Sequence, residues 1–255
     1  AWGNPELGGD VAGVASSTSA NVAAIYSSAY AFAALKEDGS VVTWGDPTSG
    51  GNASVAEGSP GMYTYSSVAG ELSAGVVKIS SNRFAFAALK SNGSVVTWGA
   101  GVSGGNSTSV AAELASGVES IYSTENAFAA LKEDGSVVTW GSPYFGGDSS
   151  GVASSLGSDV RALYSTSSAF AALKEDGSVV TWGFENSGGD SSEVASDLSG
   201  NVTAVYSTSS AFAAVKEDGS VVTWGLANSG GDSSEVASGL SGNVAAIYST
   251  SQAFA

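Results

Sequence analysis

Fifteen residues, AFAALKEDGSVVTWG, occupy positions 31–45 and return unchanged at 127–141 and 169–183. They return with one change at 211–225 and with two at 85–99. Successive tryptophans, Trp2, Trp44, Trp98, Trp140, Trp182 and Trp224, lie 42 residues apart except for one interval of 54. The phenylalanines Phe32, Phe86, Phe128, Phe170, Phe212 and Phe254 keep the same rhythm. A fixed period of this size specifies a propeller, solenoid or array, in which each unit buries its apolar faces only against its neighbours. The longer interval carries a 12-residue insertion near Val55–Ser66, VAEGSPGMYTYS.

Within one unit, Asp38-Gly39 reads as a two-residue type I′ hairpin turn, and Asn92-Gly93 fills the same slot in the second unit. That turn predicts pairing of Lys36 with Val41, Leu35 with Val42, Ala34 with Thr43 and Ala33 with Trp44. Both faces of such a hairpin are largely apolar, unlike a sheet with one wet face. Each hairpin is therefore expected to lie between neighbours, with alanines allowing close approach. Upstream runs such as VAAIYS at 22–27 read as a third strand. In the connector SGGDSSEVASDLSG (187–200), Asp190 with Glu193 fits a capping box, and Val194 with Leu198 forms an apolar i,i+4 pair. One or two helical turns are expected there.

The expected fold is all-β. It is a single repeat domain over 1–255, a β-propeller of about six three-stranded blades, with seven as the alternative, and short helical connectors. Phe254 is followed only by Ala255, and Ala1 directly precedes Trp2, so first and last words read as two halves of one unit. Terminal strands sharing one blade would give that phase; an open stack of the same units is the alternative.

Composition restricts the partners. The chain carries 24 acidic and 8 basic residues, a net charge of −16. That opposes binding to nucleic acid or an anionic membrane, both of which need basic clusters. There is no cysteine or histidine, which removes disulfides, the usual nucleophilic triads and ordinary zinc sites. No run is long and apolar enough for a membrane span, and the first residues lack a signal-peptide pattern. The loop acids Glu6, Asp46, Glu57 and Glu185 show no spacing that singles out a glycosidase pair. The GGD words at Asp10, Asp148, Asp190 and Asp232 lack the period and ligand density of calcium repeats and read as caps, with calcium an outside alternative. The sequons at Asn52, Asn92, Asn106 and Asn201 are what chance gives in a Ser-rich chain.

The words V..IYS, AFAALKEDGSVVTWG and GGDSS.VAS.L together resemble the repeat of the regulator of chromosome condensation family. They are nearest its short-repeat bacterial branch, which includes a secreted propeller-type β-lactamase inhibitor. The resemblance covers nearly the whole chain and implies a β-propeller, commonly seven-bladed in that family, closed between an N-terminal WG strand and C-terminal AFA strands. This chain departs from the pattern: it lacks the family's frequent His before the AL word, and Ser-Gly-Gly-Asp replaces the glutamine-glycine word after WG.

Differences between units fall after each WG and just before each AFA, which the strand directions place on one rim, opposite the near-constant KEDGS turns. Candidate protein-binding residues there are Glu6, Tyr30, Asp46, Arg83, Phe84, Tyr144, Phe145, Phe184 and Glu185, with Met62, Tyr63 and Tyr65 on the insertion. Aromatic clusters of this kind are what interface hot spots favour. The expectation is a non-catalytic extracellular or cell-surface scaffold without cofactors, a structural, adhesive or filament-forming module that binds protein or itself. A soluble inhibitor or binder using one rim is the alternative, and a carbohydrate-active enzyme a distant third.

Overall fold

In a computed structural model the described residues are 1–58 and 62–255; residues 59–61 of the expected insertion lie outside them. The chain is all-β, built of blade-like units, and divides into two compact parts. One comprises Ala1–Lys132 with Val138–Ser142, the other Glu133–Val137 with Pro143–Ala255.

The first part holds three sheets. Strands β1 (Val22–Ser27), β2 (Ala31–Lys36) and β3 (Val41–Gly45) form an antiparallel meander. The second sheet contains β4 (Ser54–Glu57), β5 (Thr64–Ser67), β6 (Val76–Ser81), β7 (Ala85–Lys90) and β8 (Val95–Ala100), in the order β5-β4-β8-β7-β6. Its core β6-β7-β8 repeats the first meander, and the insertion adds a hairpin, β4 lying parallel to β8 through Val55–Gly99 and Ala56–Ala100. The third sheet is β9 (Val118–Ser123), β10 (Ala127–Lys132) and β11 (Val137–Gly141). In the second part, β12 (Val160–Ser165), β13 (Ala169–Lys174) and β14 (Val179–Gly183) form one meander. Strands β15 (Val202–Ser207), β16 (Ala211–Lys216) and β17 (Val221–Gly225) form the next.

The hairpin register differs by one residue from the sequence expectation. Leu35 pairs with Val41, Ala34 with Val42, Ala33 with Thr43 and Phe32 with Trp44. Lys36 N donates to the Ser40 carbonyl at 2.9 Å, and only Gly39 has positive φ, at 77°. The loop is thus three residues, Glu37-Asp38-Gly39, with the glycine in the left-handed position, rather than a type I′ turn needing positive φ at Asp38 as well. Because side chains alternate, a one-residue slip moves a whole set to the other face. Phe32 and Trp44 therefore share a face and stack, with ring centroids 5.3 Å apart.

Within each part, the facing surfaces of neighbouring sheets are dry. Ala31, Ala33 and Leu35 pack against Phe86, Ala88 and Trp98 of the following sheet. Ala85, Ala87 and Leu89 do the same with Phe128, Ala130 and Trp140. In the second part, Ala169, Ala171 and Leu173 meet Phe212, Ala214 and Trp224. Burying each large aromatic contributes about 1.5–3 kcal/mol. Each buried indole also donates to a glycine carbonyl in the loop that precedes its sheet: Trp98 to Gly50 at 3.1 Å, Trp140 to Gly104 at 3.0 Å and Trp224 to Gly188 at 3.0 Å. A Cβ on Gly188, whose φ is 90°, would sit 2.6 Å from the Phe212 ring, so the loop lies flat on that ring only as glycine.

The connectors are the expected short helical turns, in 3-10 form and without the capping box; among the described residues the one α-helix is Ala15–Thr18. The capping box is replaced by a tighter arrangement, in which Asp190 Oδ1 accepts from Ser192 N at 2.9 Å. An aspartate caught by the amide two residues on forms a turn that competes with helix. The apolar pair survives, with Leu198 buried and its N–H donating to Val194 O at 3.1 Å. Lysines of the repeat serve these connectors, Lys90 Nζ donating to Glu71 O at 2.7 Å and Lys174 Nζ to Ser155 O at 2.8 Å.

No strand forms at the N-terminal Trp-Gly word. Ala1–Asn4 lie outside any strand and Trp2 is 94% exposed, because a lone strand without a hydrogen-bonded neighbour has nothing to hold its shape. At the other end, Phe254 makes an isolated antiparallel bridge with Ser249.

Two expected outcomes follow from this packing. Gly188→Ala should destabilise by roughly 1–3 kcal/mol, whereas Gly151→Ala, where a Cβ meets nothing within 4 Å, should be near neutral, read by denaturant unfolding. The turn aspartates Asp38, Asp176 and Asp218 are held below the ordinary Asp value of 3.8, first by the hydroxyls of Ser40, Ser178 and Ser220 and then by their amides. A lowered carboxyl contributes stability above the ordinary value and loses it as pH falls through the lowered one. Replacing all three by Asn, which makes the same bonds to Ser94 at position 92, should move the acid-unfolding midpoint to lower pH; no shift would contradict the assignment.

Candidate functional site: the loop rim and an aromatic, acidic cavity

The rim is built from local turns. Ser28 Oγ accepts from Ala31 N at 3.0 Å and so sets the bend that carries Tyr30. In the next unit Asn82 does this work: Oδ1 accepts from Phe84 N at 3.0 Å and Ala85 N at 2.8 Å, while Nδ2 donates to Ser103 O at 2.6 Å. Neighbouring bends are tied by backbone bonds, Ala29 N to Arg83 O at 3.0 Å and Arg83 N to Glu125 O at 3.1 Å. Asp46 follows the WG word and caps the 3-10 turn Pro47–Ser49, its Oδ1 accepting from both Thr48 N and Thr48 Oγ1 at 2.6 Å.

In the first part, this arrangement and the inserted hairpin enclose a cavity of about 710 Å³. Its walls include Tyr30, Asp46, Glu57, Tyr63, Phe84 and Asn106. Tyr30 and Phe84 stack with centroids 5.7 Å apart. The Arg83 guanidinium carbon lies 5.3 Å from the Phe84 centroid, and Arg83 Nη1 is 3.9 Å from Glu125 Oε2. Both ends of that ion pair are about half exposed, which leaves it little weight in stability. Asn106 donates through Nδ2 to Glu57 Oε1, and its Oδ1 accepts from Thr108 N at 2.9 Å and Thr108 Oγ1 at 2.7 Å.

Four of the residues expected at the rim thus meet in one cavity: Tyr30, Asp46, Tyr63 and Phe84. Arg83 stands beside it on Phe84. Met62 and Tyr65, 76% and 45% exposed, are on the inserted hairpin outside the cavity wall, and Glu6 is exposed on the first loop. In the second part Tyr144 and Phe184 are exposed and Phe145 is half-buried. Glu185 borders a separate open cleft of about 540 Å³. Glu57 stood in the sequence only as one loop acid among several. The parallel pairing of β4 with β8 brings it to Asn106, and no local pattern announces that pairing. Among the described residues, no three Asp or Glu side chains gather as a metal site would need.

No protein-family model matches this sequence, and no curated protein matches it. Among solved structures, it is similar to yeast RCC1 (Prp20) bound to Kap60, with a TM-score of 0.48 and 16% identity over 80% of this chain. A second structure of Prp20p from Saccharomyces cerevisiae, described with its binding properties to Gsp1p and histones, gives 0.47 and 16% over 81%. The ectodomain of the receptor kinase CR4 from Physcomitrella patens gives 0.44 and 18% over 80%. The chain spans only 56%, 58% and 50% of those three structures.

Phe84→Ala should cost about 0.5–1.5 kcal/mol beyond lost burial, through the stack with Tyr30, measured as a double-mutant cycle with Tyr30→Ala. An additive cycle would show that the two rings do not support each other.

Proposed function

We propose that the chain is a non-catalytic scaffold that binds protein through its loop rim, acting as an extracellular or cell-surface module in adhesion or assembly. The observation that carries this is the contrast between frame and rim. AFAALK and VVTWG strands stay nearly constant where they are pressed between neighbours, while Tyr30, Phe84, Tyr144 and Phe184 take places where some other units carry Ser or Asn. Partly or largely exposed aromatics on a rigid frame suit recognition, since little conformational freedom is lost on binding. Absence of His and Cys from the sequence and the acidic balance support a role without nucleophilic catalysis or nucleic acid.

A second reading, a binder of one protein target, is favoured by a specific feature: the first part joins aromatic and acidic residues in one sizeable cavity.

Sedimentation velocity over a wide concentration range tests the scaffold reading. Concentration-dependent association should be lost in a Phe84→Ser, Tyr144→Ser, Phe184→Ser variant and kept in Glu133→Gln with Glu175→Gln, on the opposite turns. Equal behaviour of the two variants would contradict rim-mediated assembly. Turnover of a glycoside panel, abolished by Asp46→Asn or Glu185→Gln, would contradict a non-catalytic role.

A further inference from the structure

We propose that the cavity of the first part receives a cationic side chain, above all an arginine guanidinium, presented by a basic segment of a protein partner. The inference rests on the rim-binding reading and names the chemistry that rim selects.

Hydrogen-bond capacity is the first argument. Three donors beside the two carboxylates are engaged: Thr48 Oγ1 on Asp46, Thr108 Oγ1 on Asn106, and the Asn106 amide on Glu57. Among the described residues, both bonds to Asp46 use Oδ1 and the bond to Glu57 uses Oε1, leaving Oδ2 and Oε2 as acceptors. Those free carboxylate oxygens suit a ligand that donates. A guanidinium carries five N–H donors and no acceptor.

Charge and aromatic surface agree. Asp46 and Glu57 lie on the wall, which among the described residues includes no Lys or Arg, and the chain's net charge of −16 draws cations toward it. Tyr30, Tyr63 and Phe84 supply rings on which a planar cation stacks. The molecule already shows that contact once, with Arg83 over Phe84 just beside the cavity.

The frame does not require these residues. At the position of Asp46 the other units place Asn4, Ala100, Ser142, Phe184 and Leu226, and at the position of Tyr30 they place Phe84, Asn126, Ser168, Ser210 and Gln252. Sheets form with each of these pairs in the complete units, so folding alone does not select an acid with an aromatic at one site.

Titration calorimetry with a blocked tri-arginine peptide at about physiological salt tests the proposal, with a neutral oligosaccharide as comparator. One saturable site is expected. Asp46→Asn with Glu57→Gln should weaken it about tenfold or more, and Tyr63→Ala, which leaves the charge unchanged, several-fold. Glu133→Gln with Glu175→Gln, an equal charge change on exposed turns, should alter affinity less than about twofold. Unchanged thermal unfolding of the variants shows that folding is intact. Equal losses from both double variants would reveal general charge attraction and overturn the proposal, as would binding of the oligosaccharide in place of the peptide. If the cavity variants bind peptide normally while rim association is still lost on rim substitution, the inference fails and the scaffold reading stands.

Discussion

Every complete unit depends on one contact set: a glycine loop laid against a phenylalanine ring, with its carbonyl accepting a hydrogen bond from the indole N–H of the tryptophan stacked on that ring. Trp44, Trp98, Trp140, Trp182 and Trp224 all donate to such a glycine, at 3.0–3.1 Å. Their rings lie 5.1–5.4 Å from the paired phenylalanines. The contact satisfies the one polar atom of an otherwise apolar burial, so the indole loses nothing on leaving water. It also fixes where the loop after the preceding WG word must lie. Rim geometry therefore follows from core geometry.

That coupling explains why function can vary while the frame does not. The two glycines of the SGG and FGG words are constrained by the ring beneath them and by the backbone of the previous WG word. A Cβ on Gly189, for example, would sit 2.4 Å from the Gly183 carbonyl oxygen. The first three residues after each WG word are exposed or half-buried and vary, whereas the fourth is a buried serine at Ser49, Ser103, Ser187 and Ser229. The insertion uses the same freedom on a larger scale. It leaves β6-β7-β8 in the common register and adds β4 and β5 at the sheet's edge, where Glu57 gains a partner.

Much of this was legible in the period, the strand words and the alternation of divergent and constant positions. The face assignment was not. Asp38-Gly39 satisfies the short-range pattern of a two-residue turn, but the loop takes in Glu37 as well, and the slip brings Phe32 opposite Trp44. The signal lay in the fixed spacing of the two aromatics, which recurs even where Asn92 replaces the aspartate and is explained by their stacking. The connector turns are 3-10 rather than α-helical for a related reason: Asp190 and Ser192 close a local turn before an α-helix can propagate. At the rim, sequence comparison located the variable positions. It could not show that Tyr30, Asp46, Tyr63 and Phe84 converge while Met62 and Tyr65 do not, since that depends on a pairing between distant segments.

The contact between indole and glycine can be observed directly by amide and indole hydrogen exchange on protein labelled with nitrogen-15 at tryptophan. Six indole resonances are expected, five strongly protected and one, that of Trp2 at 94% exposure, exchanging at the rate of a free indole. Six indoles exchanging alike and fast would contradict the claim that neighbouring sheets keep one another dry.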